Sequence, residues 1–444
     1  MAEVKVIKTA AETALAHAFA QARAHLPGGV AIAEERAAAF DVFAREGLPH
    51  RRIEDWKYTD LRALMREAKP LASPPDAAAK ARAKSAGALV GDVEARRLVF
   101  VDGAFVPELS DVAALEQGLT ITSLAAALSG DDAGLIAHLG KLAPISDVAV
   151  ALNTAFMGDG AVIHVGAGAT IERPLHLVFT ASGKAAASFV RSLSVVEPGA
   201  RVMLVESHEG PAGSDYQVNG ALELFVGDRA HVDHVKIVGE GTGALHVSTL
   251  AAAIGAKARF NTFSFTIGGA VVRNQLFLKF DGEDTVANIR GATLLKGRQH
   301  ADTTLIVNHN ARGCQSREVF KSVLDDEAHG VFQGRIVVKQ GAQQTDAKMM
   351  TRVLLLSETA EADNKPELEI FADDVQCGHG ATAGALDQEL KFYLMARGIP
   401  AAEAEALLIQ AFLGEAVEGI EHAGLREALM DQVAAWLKAR AKDK

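Results

Sequence analysis

The chain has 444 residues, of which 49% are hydrophobic and 23% charged, the balance of a soluble globular protein with room for about three domains. A net charge of -11 argues against nucleic acid as a partner, because long-range electrostatics repel a polyanion. The only cysteines, Cys314 and Cys377, exclude a disulfide framework and a four-thiolate metal site built from one chain.

The stretch Met1 to Lys5 lacks the charged-then-apolar order of a signal peptide. No apolar run approaches the ~20 residues that span a bilayer, so the expected compartment is the cytoplasm, away from membranes. Residues 1–140 form the first unit, rich in Ala, Glu and Arg, with helices expected over Thr9–Ala24 and Ala31–Glu46. A hairpin is expected where Asp102-Gly103 separates Leu98–Val101 from Ala104–Val106. The segment Ala72–Ala88 reads as a linker or a solvated helix.

Residues 141–383 change texture to period-two strand patterning with recurring breaks. The segments Val165–Ile171, Val196–Val202, Val226–Val232 and Ile254–Phe260 share one design: apolar residue, three turn residues, small residue, polar residue, apolar residue. Phe280–Val286 is a weaker copy, with Asp284 in the small-residue slot. A strand-only repeat of this length predicts stacked rungs of a β-solenoid, with small residues at tight corners and apolar ones facing inward. Val202 and Val232 should therefore point into the core. A β-sandwich with glycine turns is the alternative.

Residues 384–444 turn helical again. Asp387 is a plausible N-cap ahead of an apolar face made by Leu390, Leu394 and Met395. Arg397-Gly398 ends that helix and Ile399-Pro400 opens the next, whose stripe is Leu407, Leu408, Ala411, Phe412 and Val417. A last helix runs from about Gly424 to Ala441. Helical caps at both ends would cover the open edges of a solenoid.

Several chemistries are absent from the sequence. Gly183-Lys184 is followed by alanine and lacks the glycine spacing of a phosphate-binding loop, so ATP hydrolysis is not expected here. No Gly-x-Ser-x-Gly, His-Glu-x-x-His or Cys-x-x-Cys motif occurs. The most suggestive segment is Asp373–Thr382. If extended, it projects Cys377 and His379 from one face, a pair suited to iron, zinc or Cu(I), or to nucleophilic chemistry. The plainer reading is a buried small residue beside a hydrogen-bonded histidine. Cys314 with His309 offers a second half-site or, more simply, a core residue. His300 and His329 read as surface or capping groups, and Asp325-Asp326-Glu327 as a solvated turn. Arg51–Thr59, around Trp56, is either an interface anchor or local packing.

Beyond these spacings, the chain resembles the SufB/SufD family. The resemblance rests on Trp56–Leu61, Leu152–Phe156, Phe332–Ile336, Gln344–Ala347, Leu354–Ser357, Lys365–Ile370, Asp373–Val375, Cys377–Thr382 and Phe392–Pro400. The tryptophan signature, the length and the Cys377-Gly-His379-Gly form place it on the SufD side. It implies a right-handed parallel β-helix flanked by helical domains, and a scaffold for Fe–S cluster assembly that is not itself an enzyme. It implies pairing with SufB through the β-helix, binding of the SufC ATPase through the C-terminal helices, and a homodimer as an option for the isolated chain. A transient Fe–S cluster shared with SufB would use His379 as iron ligand, with Cys377 in a lesser role; flavin is left open as a further cofactor. The alternatives are a SufB-type scaffold that accepts persulfide sulfur and a β-helix enzyme acting on polysaccharide. The latter needs carboxylate ladders and aromatic platforms, and aromatic residues make up only 5% of the chain.

Overall fold

A computed structural model of the chain describes residues 8–130 and 133–443; the Met1–Lys5 segment read above lies outside them. Two sheets, one of ten strands and one of nine, face each other, and the chain alternates between them along a parallel β-solenoid. Inward residues of both sheets make one continuous core that includes Val202, Leu224, Val232, Ile254, Phe260 and Phe280.

The corner repeat is what builds this stack. The strand ends Val165, Val196, Val226, Ile254, Phe280, His309, Val338 and Ile370 are direct register partners from one turn to the next. Val202 and Val232 are also partners and are buried inward, as expected. The fifth corner departs from the expectation. Phe260 pairs with Ala287, so the inward position belongs to Ala287, and Val286 faces outward, 38% exposed. The segment Asp281–Asp284 holds one extra residue, which moves Thr285 into the small-residue slot. Ala200, Ala230, Ala258, Thr285, Cys314 and Thr345 occupy that slot in turn, and each carbonyl accepts the first strand N–H of the next turn. The residue before the slot is left-handed every time, whether Gly199, Arg229, Lys257, Asp284, Gly313 or Gln344.

At the N-terminal end the stack is closed by antiparallel strands. Leu119–Ser123 pairs with Ala161–Val165, and Ala104–Phe105 folds back on Arg96–Val101 across Asp102 (φ 50°) and Gly103 (φ 85°), the hairpin anticipated from the Asp-Gly pair. Helix Ala10–Ala22 starts on a capping box between Thr9 and Glu12, and with helix Val30–Glu46 it packs Leu15, Phe19 and Phe43 toward Leu245 and Val247 on the outside of the nine-stranded sheet. The Ala72–Ala88 segment contains a packed helix, Ala77–Ala83, capped by Asp76 and seated on Val99 and Val178 through Ala79 and Ala83.

The C-terminal helices correct two expectations. Helices Ala401–Val417 and Ala423–Asp443 lie along the outer face of the ten-stranded sheet, on Val235, Ile237, Phe263 and Leu294, and do not cap the end. The buried stripe of Ala401–Val417 is Ala404, Ile409, Leu413, Ala416 and Val417; Leu407 is exposed, and Phe412 is half-buried beneath the Lys321 ammonium. Helix Gln388–Met395 is capped by Asp387 as expected, but its apolar side is bare: Leu390, Phe392, Tyr393 and Met395 are all exposed. No described helix is long and apolar enough to cross a membrane.

Candidate functional site

The last turn of the solenoid consists of strands Glu361–Ile370 and Gln376–Ala385, each the terminal strand of its sheet. Gln376–Ala385 pairs on one side with Asp346–Leu355 and has no strand on the other among the described residues. Its register sets Cys377 opposite Ala347 and His379 opposite Met349, both buried core residues. Cys377 and His379 therefore share the inward face, as the period-two argument requires. With no turn above them among the described residues they are only partly covered: Cys377 is half-buried against the core, and His379 is exposed. The His379 ring has no hydrogen-bond partner among the described residues.

Burial pushes the Cys377 thiol above its usual value, and the carboxylates of Asp346 and Glu318 add to the effect. Glu318 lies in the same lumenal column as His379, below Met349. It is fully buried, and desolvation raises its carboxyl to about 7, offset only in part by the Ser316 hydroxyl and Arg317.

Cys314 is not brought into this site as a reactive group. It fills a corner slot with no exposure, its Sγ is 3.2 Å from the Gly282 carbonyl, and burial raises its thiol. His309 is also buried, edge-on to Phe280 and 3.1 Å from the Ser316 hydroxyl, with its pKa lowered by burial to about 4. Trp56 is a local anchor: its indole N–H donates to Asp147 at 3.0 Å, and the Arg273 guanidinium lies 4.1 Å from the ring centroid. His300 and His329 are not separate capping groups; they are register partners on adjacent turns, with Nδ1 atoms 3.1 Å apart. Asp325 is no solvated turn residue, since it is buried and bonded to Arg440. The sequence reading also passed over a polar cluster inside the solenoid, around Glu206, His208, Glu240 and His246. Continuing the inward alternation from Val202 through Leu204 would have found its first two members.

Comparison with known proteins agrees with this architecture. Residues 178–412 match the family model described as "SUF system FeS cluster assembly, SufBD core domain", and residues 9–177 match "SufBD protein N-terminal region". An iron-sulfur cluster assembly SufBD family protein of Synechocystis is 33% identical, covering 90% of this chain and 89% of its own. The iron-sulfur cluster assembly protein SufD of Escherichia coli is 31% identical over 90% of this chain and 91% of its own. SufD of Bacillus subtilis is 29% identical over 64% and 65%. The chain belongs to the SufBD family of iron–sulfur cluster assembly proteins.

Proposed function

We propose that this SufBD-family chain is a non-catalytic scaffold subunit that holds a nascent Fe–S cluster at the open edge of its solenoid. The observation that carries the reading is the placement of His379: an exposed imidazole without a partner among the described residues, on a sheet edge that is itself unpaired. A neutral imidazole is a competent iron ligand, and Cys377 on the same face is a lesser one. One chain offers too few ligands for a cluster, so thiolates from a second subunit, a SufB-type partner bound along this edge, complete the set. An isolated chain can pair the same edge with a second copy of itself. The bare apolar side of Gln388–Met395 suits the SufC-type ATPase, which supplies the nucleotide chemistry. The compartment is the cytoplasm, and the cluster is cargo that leaves for its acceptor.

The alternative, in which this chain itself accepts persulfide sulfur, is disfavoured by the thiols. Burial raises both Cys314 and Cys377 and reduces the thiolate needed for attack. The test is iron content and visible absorbance of the complex purified from cells. His379→Ala should abolish cluster formation while folding, pairing and ATPase activity persist; Cys377→Ala should do less harm and Cys314→Ala least. Normal clusters in the His379→Ala complex would make that histidine structural.

A further inference from the structure

A second polar group lies inside the solenoid, apart from the open edge. Strand Arg201–Glu209 turns Glu206 and His208 into the lumen, strand His231–Gly239 turns in His234 and Lys236, and strand Leu245–Ile254 of the opposite sheet turns in His246 and Ser248. Glu240 stands at the corner between the last two strands. All of these residues are buried.

The hydrogen bonds here are asymmetric. His208 donates through Nε2 to Glu206 at 3.3 Å, and His246 Nδ1 lies 3.0 Å from a carboxylate oxygen of Glu240, a separation that suits two ligands of one ion. The other nitrogen of each ring, His208 Nδ1 and His246 Nε2, is buried and has no partner among the described residues. By donating from one nitrogen to Glu206, His208 presents a lone pair on the other, which is how metal-ligating histidines are held. One ligand atom from each of His208, Glu240 and His246 lies within 4.8 Å of the other two. Tyr216 donates to Glu240 at 2.5 Å and fixes its carboxylate.

We propose that His208, Glu240 and His246 form a closed site for one divalent transition-metal ion of the zinc or ferrous class, with Glu206 orienting His208 from behind. Two imidazoles and a carboxylate are a ligand set for these borderline ions and a poor one for calcium or magnesium. The ion would tie one sheet to the other through a corner of the solenoid. A second three-residue group, His231, Asp233 and Glu421, carries no such argument, because Glu421 is already paired with Arg259 at 3.0 Å and Arg201 at 3.6 Å.

The test uses the full chain in a Cys377→Ala, His379→Ala background, so that the open edge contributes no ligands and failure of the cluster reading is scored separately. Cobalt(II) is supplied during expression, since the site is enclosed. One equivalent of cobalt per chain is expected, with visible ligand-field bands, no thiolate charge-transfer band, and displacement by zinc. His208→Gln and His246→Gln should each weaken binding at least ~10- to 100-fold. Absence of stoichiometric metal, or retention at full affinity in both variants, overturns the proposal. Should either variant fail to fold, anomalous diffraction at the cobalt edge from crystals of the otherwise unaltered chain decides. A peak bonded to all three residues supports the site; a peak elsewhere, or none, overturns it.

Discussion

Replacing Glu318 by glutamine should stabilise the protein in alkaline solution and leave it nearly unchanged in acid. Glu318 is fully buried in the lumen, and burial raises its carboxyl from 4.5 to about 7. Because the folded value lies above the unfolded one, the ionised side chain is held less well by the fold than by water. The penalty is absent below pH 4.5, grows as pH rises through the window between the two values, and is complete above about 7. At 1.36 kcal/mol per pH unit, that gap corresponds to about 3 kcal/mol. Glutamine has nearly the same shape and cannot ionise, so it removes the ionisation penalty. Urea unfolding followed by circular dichroism at pH 4.5 and pH 8.5 measures it. The variant should gain about 3 kcal/mol over wild type at the higher pH and within about 1 kcal/mol of nothing at the lower. An equal gain at both values, or none at pH 8.5, would refute the claim that a buried ionisable carboxyl sits in the lumen.

Two further outcomes test the frame around the site. Val232→Asp puts a carboxylate into the core between Val202 and Phe260; lost apolar burial plus forced protonation should cost roughly 5 kcal/mol at neutral pH, read as a large fall in melting temperature. Unchanged melting would show that the inward register is wrong. Phe392→Ala combined with Tyr393→Ala removes exposed side chains, so stability should shift by no more than about 0.5 kcal/mol per site while pull-down of the ATPase partner falls sharply; undiminished capture would place that interface elsewhere.

The solenoid was legible in the sequence because its corners are chemically severe. A left-handed residue followed by a small one leaves a mark, and Val165, Val196, Val226 and Ile254 repeat it with little change. The signal fades after Phe280, where corners lengthen and the strand-end position passes to His309. That same drift hid the corner role of Cys314, which reads in sequence as a half-site with His309 or, more simply, a core residue, and in space is a buried corner filler. Cys377 and His379 could be placed on one face from their spacing alone, but their exposure depends on the absence of a turn above them, which no local pattern encodes. The C-terminal stripe was misread for a related reason. Leu407 and Ile409 are equally apolar, and only the position of the ten-stranded sheet decides which is buried.

The two uncovered strands of the last turn are chemically unlike, and the difference bears on where a partner would pair. Exposed sheet edges invite association and are usually blunted by charge or proline. Glu361–Ile370 follows that rule, with Glu361, Asp363, Lys365, Pro366, Glu367 and Glu369 along it. Gln376–Ala385 breaks it: the strand has no Asp, Glu, Lys or Arg, no proline, and glycine at 378, 380 and 384. A Cβ at Gly378 or Gly384 would meet nothing within 4 Å, so the backbone there is open to close approach by another chain. On the proposed function, an edge left adhesive in a chain that blunts its neighbour suits pairing with a partner strand. Such a strand would bring foreign side chains onto the face that carries His379 and Cys377. The ligand set would then be completed by the same contact that pairs the subunits, and any movement that slides the two edges would loosen the cluster.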